Sequence, residues 1–95
     1  MAAHVMTMLE ARVPADRWPE LQSFWSRMDA NRPAQLVTSY LIQSTSDPEI
    51  WRTVGVWQSR EAFEQYRQSV DAPGGVKLFR SVGAETALAL FDVRS

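Results

Sequence analysis

One short stretch changes its apolar period, and that change requires a strand that runs directly into a helix. From Val54 to Ser69 the chain reads VGVWQSREAFEQYRQS. Apolar residues alternate up to Trp57, and beyond Ser59 they recur about every three and a half residues. Ser59 suits a helix N-cap, because its hydroxyl accepts an N–H of a first turn that lacks intrahelical partners. Phe63, Tyr66 and Val70 then form one helical stripe. The segment DAPGG, Asp71 to Gly75, interrupts the helix, and VKLFRSV resumes it. Gly83 suits the C-cap, and TALALFDV, Thr86 to Val93, gives a last strand.

Upstream, HVMTMLEARV from His4 to Val13 alternates Val5, Thr7, Leu9 and Ala11 against His4, Met6, Met8 and Glu10. It reads as a strand with both faces partly apolar, so both faces are expected to be covered. Pro14 ends it, and Asp16 is the expected cap of a helix over residues 17–30, with Pro19 tolerated in the first turn. Trp18, Leu21, Trp25 and Met28 share a stripe there, with Phe24 beside it, and Asn31, Arg32 and Pro33 close the helix. LVTSYLIQ (36–43) and Ile50 to Gln58 read as strands around the turn-forming STSDPE. The order is βαββαβ with a broken second helix. Such a chain forms an α+β, ferredoxin-like fold: a four-stranded antiparallel sheet with helices on one face.

Composition limits what this fold can do. Ninety-five residues fit one domain, spanning 1–95. A chain this short buries roughly 60–65% of its unfolded surface, so pairing with a second copy would add needed burial. No apolar run approaches the ~20 residues of a membrane span, and Met1 to Val5 lacks the parts of a signal peptide, so a cytoplasmic location is expected. The absence of cysteine removes disulfides and thiolate chemistry. Nine arginines and one lysine, Lys77, are scattered among eleven acids, which disfavours nucleic acid. The βαββαβ order also belongs to RNA-recognition domains, but WRTVGVW does not carry their aromatic motif.

The element order, the length and above all GVWQSREAFEQY resemble the antibiotic-biosynthesis-monooxygenase-like family of dimeric α+β barrels. Organisation matches over nearly the whole chain, and the motif covers residues 54–66. The resemblance implies a homodimer with sheets face to face and, between each sheet and its own helices, a space for a small aromatic molecule. It also implies oxygenation without a cofactor, the substrate taking the cofactor's part. The haem-degrading branch carries an axial histidine on the helix after the tryptophan. Residues 58–95 contain no histidine, so haem is not expected. Asn31, the sole asparagine, lies at a helix end, so an amide donor on the first strand, used by some relatives, does not exist here.

Alternation puts Trp51, Thr53, Gly55 and Trp57 on one face of the third strand, and Arg52, Val54 and Val56 on the other. Gly55 leaves a gap that a ligand, a helix side chain or a bulge would account for. A hairpin centred on Ser46 and Asp47 sets Tyr40 opposite Thr53, on the Trp57 face with Leu36 and Ile42; a one-residue slip reverses this. Tyr66 turns inward with Phe63, as a core tyrosine or a ligand contact. Trp18 and Trp25 read as core residues, Trp25 the nearer to a cavity edge. Arg67 and Arg80 are candidate anion partners, although most such cations are solvated. Through the resemblance, Trp57, Tyr66 and Arg80 are the expected catalytic set, and Trp25, Tyr40, Gly55, Phe63 and Arg67 the expected ligand contacts.

Other chemistries lack their residues. His4, the lone histidine, has no serine–acid pattern around it, no HExxH or clustered metal ligands occur, and Gly74–Gly75 lacks the Walker lysine. Three readings stand: a cofactor-independent monooxygenase of a small phenol or quinol, a dimeric ligand-binding or accessory module without turnover, and a filled interior whose sole function is dimerisation. Val54 and Val56, with Phe91 or Val93 nearby, are expected to meet the partner sheet.

Overall fold

Among residues 4–95, which the computed structural model describes, the expected elements form in the expected order. They are β1 (Val5–Arg12), α1 (Trp18–Ala30), β2 (Leu36–Gln43), β3 (Ile50–Trp57), α2 (Arg60–Ser69), α3 (Gly74–Ser81) and β4 (Leu88–Asp92). The strands make one antiparallel sheet in the order β2-β3-β1-β4. The fold is therefore the ferredoxin-like α+β arrangement. Val5, Thr7, Leu9 and Ala11 of β1 lie opposite Trp57, Gly55, Thr53 and Trp51 of β3, and all eight are buried under the helices.

Local chemistry sets most boundaries. The Ser59 hydroxyl accepts the Ala62 N–H at 3.1 Å, as an N-cap should. At the end of α3 the Gly83 N–H bonds Arg80 O and the Ala84 N–H bonds Phe79 O, a Schellman closure that needs Gly83's φ of 75°. Asp16 does not cap α1. It sits in a 3-10 turn, Ala15–Arg17, and α1 begins without a side-chain cap. The chain is tied there instead by the Trp18 indole N–H on Val13 O at 2.8 Å. β1 and β4 are shorter than the alternation suggests, because His4, Val13 and Thr86 serve connections: Val13 N–H reaches Glu49 O and the Thr86 hydroxyl bonds Glu10 O.

The largest correction concerns β2. Leu36 pairs with Trp57, but an irregularity at Val37 shifts the register, so Thr38 faces Val56 and Tyr40 faces Val54. The hairpin is centred on Asp47, not between Ser46 and Asp47. Leu36 keeps its expected side, whereas Tyr40 and Ile42 turn to the uncovered face and are 56% and 43% exposed.

One end of the layer between sheet and helices is solid. Trp51 meets Trp18 edge to face at 5.8 Å, and Leu9, Ala11, Val13, Leu21, Leu78, Phe79 and Val82 close around them. Leu21, Leu78 and Phe79 are wholly buried, each contributing about 1.5–3 kcal/mol by leaving water. The opposite face of the sheet carries no helix. It presents Met6, Met8, Val54 and Val56, half-buried, and Tyr40, Ile42 and Phe91, exposed.

The Arg12 guanidinium ties β1 to the β2–β3 loop through Asp47 at 2.7 Å and Glu49 at 3.1 Å, and it holds the Asp47 carboxyl below its usual range. A depressed carboxyl adds stability above its unfolded pKa and loses it as pH falls through the folded value. Arg12→Ala is expected to lower stability slightly at neutral pH and not at all near pH ~2. Urea denaturation of both proteins across that range checks this.

Candidate functional site

The other end of the layer is hollow. Strand alternation brings Thr7, Thr53, Gly55 and Trp57 to its floor, α2 contributes Phe63 and Tyr66, α1 contributes Trp25 and Met28, and the turn into α3 contributes Gly74 and Gly75. The cavity measures about 300 Å³, at the small end of ligand sites. The reading in which side chains fill the interior completely is therefore overturned. Asp29, Asn31 and Arg32 border the cavity where α1 ends, and Asp29 and Arg32 are its one carboxylate and one cation among the lining residues.

Trp57 is the centre of this wall. Its ring meets Phe63 at 5.1 Å, edge to face, and Tyr66 at 4.8 Å, tilted by 34°. Its indole N–H donates to Thr7 Oγ1 at 3.0 Å in a buried contact. That bond leaves the ring for stacking and takes its N–H away from any ligand. Gly55 makes room for the arrangement: a Cβ there would lie 3.0 Å from Thr7 Oγ1, 3.2 Å from Leu36 Cδ1 and 3.3 Å from Trp57 Nε1. The gap in β3 is thus closed by its neighbours' side chains, and Gly55 still lines the cavity.

Two hydroxyls among the lining residues keep hydrogen-bonding capacity to spare. Thr7 accepts from the indole and retains its own hydrogen. Tyr66 Oη accepts the Gly74 N–H at 2.9 Å and likewise retains its hydrogen. The Thr53 hydroxyl has no partner, but its oxygen is sealed from the hollow beneath Gly75 and Leu9. At the rim, Asp29 accepts from Ser39 Oγ at 3.1 Å, with Arg32 at 3.8 Å. The lining is mainly apolar, with the Thr7 and Tyr66 hydroxyls as donors that suit an oxygen carrying negative charge.

Of the residues singled out from sequence, Trp57, Tyr66, Phe63, Trp25 and Gly55 meet at this cavity. Tyr40 is on the far side of the sheet for the register reason given above. Arg67 and Arg80 are exposed and outside the lining. Each sits beside inward residues, Phe63 and Tyr66 on α2 and Leu78 and Phe79 on α3, and so points to water. Sequence reading missed Thr7, Thr53, Asp29 and Arg32. The two threonines carried a signal, since each is polar on a face otherwise apolar, whereas Arg32 reads as a helix terminator.

Haem does not fit these residues. No histidine lines the cavity, and His4 is engaged through Nδ1 with Trp57 O at 3.2 Å. Among the described residues no cluster of His, Cys, Asp or Glu could hold a metal ion.

Removing the acceptor under Trp57 would leave a buried indole N–H unpaired. Thr7→Val is expected to cost about 1–3 kcal/mol, read from urea denaturation followed by tryptophan fluorescence.

Comparison with known proteins agrees with the geometry. The structure of SnoaB, a cofactor-independent oxygenase from Streptomyces nogalater, superposes with a TM-score of 0.72 at 21% identity, covering 99% of this chain and 96% of that one. A heme-degrading protein from Mycobacterium tuberculosis gives 0.73 at 24% identity, covering 100% and 96%. A conserved protein from Methanosarcina mazei gives 0.75 at 12% identity, covering 97% and 94%. At these identities the likeness is one of fold. No curated protein matches the sequence. The family model described as antibiotic biosynthesis monooxygenase matches residues 15–82, and the chain belongs to that family.

Proposed function

We propose that the protein is a cofactor-independent monooxygenase of a small, electron-rich phenol or quinol. The observation that carries this reading is the cavity beneath Trp57, walled by aromatic rings and bordered by the hydroxyls of Thr7 and Tyr66. Family membership supports the reaction class.

In this reading a planar substrate lies against the Trp57 ring. It loses its phenolic proton, and Asp29 is the carboxylate among the lining residues that can accept it. The anion passes one electron to dioxygen, the two radicals join at a ring carbon, and the adduct loses water. One oxygen atom of O2 enters the quinone product and the other leaves as water. Burial between helices and sheet strengthens each hydrogen bond to the anion. Tyr66 donates its free O–H to the ionised oxygen, and Arg32 at the rim favours the charged form. Arg32 takes the place first given to Arg80 and Arg67, because it alone of the three borders the cavity.

The protein acts as a homodimer in this reading, joined through the helix-free face of the sheet. Met6, Val54, Val56, Tyr40 and Phe91 make that face apolar, and alternation keeps it separate from the cavity face.

Oxygen-electrode assays with simple naphthoquinols and anthrones test the activity. Substrate-dependent uptake is expected, with Tyr66→Phe lowering turnover by about 10²-fold and Trp57→Leu raising KM. Tight binding without uptake across the panel would instead make this a ligand-binding module. For the assembly, sedimentation at micromolar concentration is expected to give a dimer, and Val56→Arg a folded monomer with its melting curve retained. A wild-type monomer would count against the interface.

A further inference from the structure

At the rim of the cavity a side-chain bond joins β2 to α1. Ser39 Oγ donates to Asp29 Oδ1 at 3.1 Å, and both residues line the hollow. The irregularity at Val37 is what places Ser39 there. With Leu36 opposite Trp57, unbroken pairing would set Thr38 opposite Gly55; the extra residue sets Ser39 in that position instead. Ser39, Gly55 and Thr7 thus make one row across the covered face of the sheet, with a hydroxyl on either side of the glycine.

The last turn of α1 (Trp18–Ala30) is a poor place for an acid, because the negative end of a helix disfavours a carboxylate. Among the described residues, the side-chain contacts of Asp29 both fall on one oxygen: Ser39 Oγ and, at 3.8 Å, Arg32 Nη1 meet Oδ1. Oδ2 is left as an open acceptor, on a side chain that is 42% exposed and lines the cavity. The other charged or titratable lining groups are Arg32 and, on α2, Tyr66, whose Oη accepts the Gly74 N–H. We infer that Ser39 is a positioning residue: it fixes the Asp29 carboxylate so that Oδ2 takes the hydroxyl proton of the substrate. This rests on the monooxygenase reading above and adds the residue that orients its proton acceptor. The phenolic O–H bond breaks toward Asp29, the electron pair stays on the substrate oxygen, and the proton leaves with the water lost at the end. Without the Ser39 bond the carboxylate spreads over several rotamers and meets the hydroxyl in fewer of them.

Oxygen uptake from a naphthoquinol by wild type, Ser39→Ala, Asp29→Asn and the double variant tests this. Ser39→Ala is expected to lower kcat about tenfold with KM little changed. In the Asp29→Asn background the same substitution is expected to lower kcat no further, because the group it positions is already gone. The deficit of Ser39→Ala is expected to close as the pH rises past the quinol's own ionisation in solution. Ser39→Thr, which keeps the hydroxyl and suits a strand, is expected to retain activity. Unchanged kcat in Ser39→Ala, or losses that multiply in the double variant, would overturn the positioning role and leave the monooxygenase standing. Full activity in Asp29→Asn would remove the proton acceptor, and the role of Ser39 with it. Absence of uptake by the wild-type protein from every quinol tried would overturn the monooxygenase and this inference together.

Discussion

The hydrogen bond from the Trp57 indole to Thr7 across Gly55 sets the form of the interior. It joins the end of β3 to β1 on the covered face of the sheet and fixes the plane of the largest ring in the cavity wall. A tryptophan free to rotate there could drop into the hollow and close it. The bond prevents that, because both partners are buried and the indole N–H has its acceptor there. Gly55 gives the bond room, since a Cβ at that position would press on both donor and acceptor. Phe63 and Tyr66 then pack against a ring whose orientation is already set.

From this follows the division of the layer into a solid half and a hollow one. Around Trp51 and Trp18 the helices close on the sheet with wholly buried leucine and phenylalanine side chains. Around Trp57 the chain places hydroxyls and glycines instead. Larger side chains there would fill the space and add stability, so the hollow lowers the stability of the fold where it opens a cavity. The donors are also coupled to the backbone. Tyr66 holds the start of α3 through Gly74, which links the cavity wall to the helix that seals the core through Leu78 and Phe79.

Much of this was legible from residues alone, and the reasons differ by residue. The period change at Ser59 and the Gly83 cap are local physics, and each appears where the sequence predicts it. Trp57, Phe63 and Tyr66 could be brought together because strand alternation and helical spacing determine faces without knowledge of partners. Tyr40 could not, since its face depends on strand register, and one irregular residue at Val37 reverses it. Arg67 and Arg80 stand out in the sequence by charge, but each lies one position off an inward stripe and is exposed. The importance of Gly74 and Gly75 was hidden for another reason: a glycine pair reads as a break in a helix, and only the fold reveals which hydroxyls it admits.

The central claim is that the Trp57 ring walls an accessible hollow while its N–H is held by Thr7. The most direct measurement is the set of indole N–H resonances of the four tryptophans during titration with 1-naphthol. The account predicts a Trp57 N–H protected from solvent exchange before ligand is added, a ring-current shift on titration at Trp57 and Trp25, and little change at Trp18 and Trp51. A Trp57 N–H that exchanges like an exposed indole, or shifts confined to Trp18 and Trp51, would contradict it.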